Sequence, residues 1–229
     1  MLSPYNRTSD RSVTFSWAAT PDVPHADNAA TATAIRARIA ATILHGSLTV
    51  LMLVAVAACT FAQTAAGDPF AAHAWHGEIE LQPAVEAWNY NGSHEELYGL
   101  TEGLTYGLRE RLMLVLNQRV YYVSQRANDT WVLGLTLGIR VRVYRGARLS
   151  AFLEGGLGVS DAAIAAPPRG TRFNYLGLGS AGVLVHLHGR MQLLAGLQLT
   201  HLSNASIKGP GRNPDIEAIG TRTGLVIGF

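Results

Sequence analysis

His201 and Ser203 stand two residues apart in a run whose odd positions are Met191, Leu193, Ala195, Leu197, Leu199, His201 and Ser203, with Gln192, Gln198 and Thr200 between them. A period of two marks a strand, and residues i and i+2 of a strand share a face about 6.5–7 Å apart. An imidazole can cross that gap to a hydroxyl. Glu217 shares parity with the last alternating run of the chain, Ile219, Thr221, Thr223, Leu225, Ile227 and Phe229. Counted from the far ends of the two runs, at Met191 and Phe229, Ser203 and Glu217 fall at the same height on neighbouring antiparallel strands. A carboxylate there can orient the imidazole through its second nitrogen. Hydroxyl, imidazole and carboxylate in that order are the nucleophile, general base and orienter of acyl transfer, recognised by geometry and not by chain order. The plainer alternative is three polar residues where strands leave an interface.

The elements that must position these groups are also alternating runs. From Trp131 to Val143 the odd positions are Trp, Leu, Leu, Leu, Ile, Val and Val, opposite Val132, Gly134, Thr136, Gly138, Arg140 and Arg142. Leu149–Val159 repeats the pattern, with Glu154 on the minor face. In Tyr98–Leu108 the glycines and threonines oppose leucines and tyrosines, except that Glu102 falls on the apolar side. Turn-forming clusters at 89–93, 109–111, 126–129, 145–148, 166–170, 188–190 and 209–214 separate the runs. Seven turns make eight strands, and short connections alternate with longer ones. The fold class expected is therefore all-β, an eight-stranded antiparallel transmembrane barrel. A soluble barrel would bury its apolar face, whereas here the opposite face carries Arg140, Arg142, Glu154, Gln198 and Arg222. The apolar face must point into lipid, and His201, Ser203 and Glu217 go with it. A barrel of eight strands is filled by side chains, so no channel is expected.

Composition agrees with export. The 229 residues are 48% hydrophobic and 15% charged, with net charge +2 and Lys208 the single lysine, so the chain lacks the basic patch that nucleic-acid binding needs. Cys59 alone forms no disulfide framework. Arg36 and Arg38 precede an apolar stretch, Ile39–Ala62, that ends in small residues, which is the pattern of a secretory signal. Cleavage after Ala62 or Ala66, or lipidation at Cys59, fits the local residues. The division expected is 1–62 as extension and signal, 63–75 as a short periplasmic lead-in, and 76–229 as the barrel. His73, Trp75 and His76 read as an interfacial tether ahead of the first strand, and Trp88, Trp131, Tyr121, Tyr122 and Tyr175 as aromatic girdles.

The run His201-Leu202-Ser203-Asn204-Ala205, followed by Asn213-Pro214-Asp215-Ile216-Glu217 and a final strand ending in Phe229, resembles the lipid A 3-O-deacylases of the PagL type. The resemblance covers the barrel, and its specific part is 201–217. It implies that Ser203 is nucleophile, His201 base and Glu217 orienter, that Asn213 is the family's asparagine four residues before the glutamate, and that the backbone at Asn204 and Ala205 forms the oxyanion hole. Asp215 stands where the family usually has glycine. An outer-membrane esterase acting on the 3-linked acyl chain follows, with no metal or cofactor. Lys208 and Arg212 could pair with lipid A phosphates. Expected partners are lipid A or lipopolysaccharide in the outer leaflet, outer-membrane lipids, the barrel assembly machinery through Phe229, and a second copy in a homodimer; nucleic acid is not among them. The rival readings are a non-catalytic barrel for envelope integrity or adhesion and a lipid A acyltransferase.

Overall fold

The computed structural model describes residues 68–88, 95–126, 128–209, 211 and 213–229; the expected signal, Cys59, Ala62, Ala66 and Arg212 lie outside them. Eight strands follow in chain order: β1 (Trp75–Glu86), β2 (Glu96–Arg109), β3 (Leu112–Ser124), β4 (Thr130–Arg145), β5 (Leu149–Ala162), β6 (Phe173–His188), β7 (Met191–Ser203) and β8 (Ile216–Gly228). Each pairs antiparallel with its chain neighbours, and β8 closes on β1. Closure leaves no sheet edge, so every strand can satisfy its backbone within the ladder, as hydrocarbon requires. Among the described residues no helix is long and apolar enough to cross a membrane; crossing falls to the strands.

Alternation sets inside from outside as the sequence reading expects. In β4 the residues from Trp131 to Val143 at odd positions are exposed and apolar, while Arg140 and Arg142 are buried. The lumen is layered along its axis. At mid-height three carboxylates, Glu78, Glu80 and Glu154, face three guanidiniums, Arg119, Arg140 and Arg222. Arg140 bridges Glu78 at 2.5 Å and Glu154 at 2.7 Å, and Arg222 bridges Glu80 at 2.7 Å and Glu154 at 3.0 Å. Arg119 donates to Gln82 at 2.7 Å and Thr136 at 3.1 Å. Buried charges survive in a low-dielectric interior only when paired in this way. Apolar clusters close the layer above and below: Leu97, Tyr121, Val132, Leu176, Leu202 and Ile216 at one end, and Phe70, Met113, Phe152, Leu184, Leu194 and Val226 at the other. Backbone crowding in the wall explains some of the inward glycines. A Cβ on Gly220 would fall 2.2 Å from the Pro83 carbonyl oxygen.

The end with Phe70 carries the tight turns between β2 and β3, β4 and β5, and β6 and β7, together with the entry and exit of the barrel chain. Asp68 docks there, accepting from Arg142 at 2.6 Å and Arg145 at 3.2 Å, and Arg142 lies over the Phe70 ring at 4.9 Å. The tether expectation needs one correction. Trp75 and His76 belong to β1, and β1 alternation turns His76 into the lumen, where it is buried. His73 and Trp75 do lie at the surface; His73 Nδ1 is 2.8 Å from the Tyr106 hydroxyl, and the Trp75 and Tyr106 rings are 4.7 Å apart. Tyr121 is likewise inside, 1% exposed, because it has odd parity on a strand whose even positions face out.

Candidate active site

The longer connections lie at the opposite end of the barrel, and β7 and β8 bring His201, Ser203 and Glu217 together there. The ladder pairs His201 with Glu217 and Leu202 with Ile216. The sequence count set Glu217 level with Ser203. The observed register differs by two residues because Met191 pairs with Ile227 and not with Phe229.

The imidazole lies between hydroxyl and carboxylate. His201 Nε2 is 2.9 Å from Ser203 Oγ, and His201 Nδ1 is 3.5 Å from Glu217 Oε1. The His201 side chain is 46% exposed and that of Glu217 31%, whereas Ser203 is 8% exposed, so the hydroxyl sits in the floor and the imidazole rises beside it. Exposed Leu199, Ile219 and Tyr175 surround the group, which places it on the outer wall. On the β6 side Tyr175 pairs with Ser203 and Gly177 with His201. A Cβ at Gly177 would stand 3.6 Å from His201 Cβ, in ordinary van der Waals contact, so with glycine there this flank of His201 carries no side chain.

After Ser203 the chain turns sharply. Asn204, buried, donates its backbone N–H to Asn213 Oδ1 at 3.0 Å, tying the two ends of the loop together. Ala205 and Ser206 then take left-handed φ values of 49° and 60°, uncommon for residues with a Cβ, and Ile207 N–H returns to the Asn204 carbonyl at 3.1 Å. Successive turned amides of this kind can face an anion. Lys208 is exposed in the same loop. Asp215 precedes β8, and His201, Asp215 and Glu217 each offer a ligand atom within 4.8 Å of the others, a set that could hold a metal ion. Asp215 and Glu217 share odd parity, so facing alone does not separate the two carboxylates in the sequence, and it is the ladder that sets Glu217 opposite His201.

The family model for lipid A 3-O-deacylase (PagL) matches residues 75–225, nearly the whole barrel. The chain belongs to the PagL family. This PagL-family protein is therefore a hydrolase built on an outer-membrane β-barrel. None of the curated proteins matches its sequence. Among solved structures it is similar to the outer-membrane enzyme PagL, at 19% identity over 63% of this chain and 97% of that one, with a TM-score of 0.48. It is also similar to Neisserial surface protein A, at 10% identity over 72% of this chain and 100% of that one, with a TM-score of 0.52. The second likeness shows the fold alone, and the first adds nothing to it.

Proposed function

We propose that this PagL-family protein hydrolyses the 3-O-linked acyl ester of lipid A through Ser203, His201 and Glu217. The observation that carries the reading is the imidazole held between hydroxyl and carboxylate, at 2.9 and 3.5 Å, on the outer wall of a barrel whose family is named for this reaction. A proton on Nδ1 directed at Glu217 leaves Nε2 as the acceptor for the hydroxyl proton. Ser203 Oγ then attacks the ester carbonyl while His201 takes that proton. The oxyanion is met by backbone N–H groups of the turn at Ala205, which Asn213 braces through Asn204. His201 returns the proton to the departing sugar oxygen, and an acyl-Ser203 remains. Water, deprotonated by His201, adds to it and releases a hydroxy fatty acid. No step needs a metal.

Lipid supports the same reading. Acyl chains of an outer-leaflet lipid lie along the outer wall, so an ester at the chain's head can reach Ser203 without entering the lumen. Lys208, and Arg212 in the same loop, would pair with its phosphates. An N-terminal signal would deliver the chain, and Phe229 would present it to the assembly machinery. Mass spectrometry of lipid A from cells with and without the protein tests the function: loss of one hydroxyacyl chain is expected, and gain of an acyl chain would point to transfer instead.

A further inference from the structure

The lipid-facing wall carries a polar pair that the group around Ser203 does not use. On β2 the outward side chains run Tyr98, Leu100, Glu102, Leu104 and Tyr106. Tyr98 pairs with Tyr122, whose ring meets that of Trp131 at 5.3 Å, and these form the aromatic belt at the level of the site. Tyr106 stacks on Trp75 in the opposite belt. Glu102 is four residues from each belt, about 13 Å along the strand either way. Its carboxylate therefore stands at mid-membrane depth.

The half-buried Glu102 carboxylate meets no hydrogen-bond partner among the described residues; its Oε2 is shielded within the copy, so the other oxygen is the one a neighbour can meet. Directly across the ladder on β3, and on the same outward face, is Gln118. No hydrogen bond joins the two side chains within one copy. Exposed Ile79, Leu100, Leu116 and Leu135 lie around them, so no other side chain nearby on β1–β4 supplies a donor. Hydrocarbon supplies none either, and an ionisable group at this depth ordinarily has a partner.

We propose that the outward face of β2 and β3 is a homodimer interface, in which Glu102 of each copy accepts a hydrogen bond from the Gln118 amide of the other. A two-fold axis along the membrane normal, passing between these two residues, sets each acceptor opposite a donor at matching depth. The patch is then self-complementary, as a closed two-fold contact requires. Polar side chains are the specific adhesive between membrane segments, where apolar surface gains nothing by leaving lipid. In the closed barrel β3 is four strands from β7 in either direction, so the dimer leaves His201 and Ser203 facing lipid on the far side. The interface does not depend on what Ser203 does.

The test is the mass of the protein extracted from membranes in mild detergent, by sedimentation or light scattering with the detergent subtracted. Two chains are expected. Glu102→Leu places an ordinary lipid-facing residue at the position, so heat-modifiable mobility and ester hydrolysis should persist while the mass falls to one chain. Glu102→Gln, which can still accept, should keep the dimer. In membranes, Leu116→Cys in a Cys59→Ser background should cross-link to a second copy, and adding Glu102→Leu should reduce that product by about tenfold or more. A single-chain wild type without cross-links, a dimer indifferent to Glu102→Leu, or cross-linking to a different protein would each overturn the interface.

Discussion

Glu217 stands directly opposite His201 in the β7–β8 ladder, with its carboxylate 3.5 Å from the Nδ1 edge of the ring whose Nε2 edge meets Ser203. Asp215 also approaches the imidazole, but it lies outside β8 and has no ladder position to hold it. Glu217→Ala should therefore lower turnover on lipid A micelles strongly but incompletely, leaving about two orders of magnitude more activity than loss of the nucleophile does. Asp215→Ala should change turnover only slightly. A larger loss from Asp215→Ala would transfer the orienting role to the loop carboxylate.

Ser203→Ala removes one oxygen from the floor of the site, and among the described residues the side-chain hydrogen bond it breaks is the one to His201. Folding, read as heat-modifiable mobility, should be unchanged. Deacylation should fall by about 10⁶-fold, the scale seen when a hydroxyl nucleophile is deleted from such a triad. Turnover close to wild type would mean that another group attacks the ester.

Glu154 serves two guanidiniums at once, Arg140 at 2.7 Å and Arg222 at 3.0 Å, and its side chain is 6% exposed. Glu154→Ala leaves the three mid-height arginines, Arg119, Arg140 and Arg222, with two carboxylates. Breaking a buried ion pair from one side costs about 3–5 kcal/mol, so the urea midpoint of the variant in lipid vesicles should drop by that equivalent. A midpoint close to wild type would show that water enters the lumen and screens the arginines.

The clasp at Asp68 should respond to acid. Burial pushes the Asp68 carboxyl up, but the hydrogen bond from Arg142, the Phe70 N–H and the charges of Arg142 and Arg145 outweigh it and hold the group below its ordinary value of 3.8. A depressed carboxyl stabilises the folded clasp above the unfolded value and stops doing so as pH falls through the folded one. Residues 68–74 should accordingly resist an acid protease near pH 5 and become cleavable only below about pH 3.8. Asp68→Asn should be cleavable at both. Equal resistance of the two proteins at pH 5 would show that Phe70 packing holds the segment without the charge.

Strand number, alternation and the outward placement of His201 and Ser203 were legible in the sequence because a period of two over more than ten residues leaves only the choice of which face meets lipid. Arg140 and Arg222 made that choice, since neither could face hydrocarbon unpaired. Register was not legible. Counting from chain ends assumes that both strands stop at the same level, and the turn at 189–190 sets Met191 against Ile227 instead, which moves Glu217 from the height of Ser203 to that of His201. Luminal packing was equally hidden. Tyr121 and His76 look like belt residues by type, and only their parity within strands of known start turns them inward. Glu102 was visible as an exception to its face, but what surrounds it depends on which residue the neighbouring strand presents.

The bare flank of His201 at Gly177 is on the outside of the cylinder, and this changes the dimensionality of the encounter. A molecule that must reach Ser203 along the wall diffuses in a plane, so its effective concentration is a mole fraction in the leaflet and not a molarity in the bulk. Rate measurements in mixed micelles should then follow surface dilution: adding inert detergent at fixed substrate and enzyme should slow the reaction, even though nothing in solution has changed. Both leaving fragments are also delivered back into the same sheet of lipid. A fatty acid released there dilutes the next substrate, so with one enzyme confined to each vesicle progress curves should bend earlier in small vesicles than in large ones.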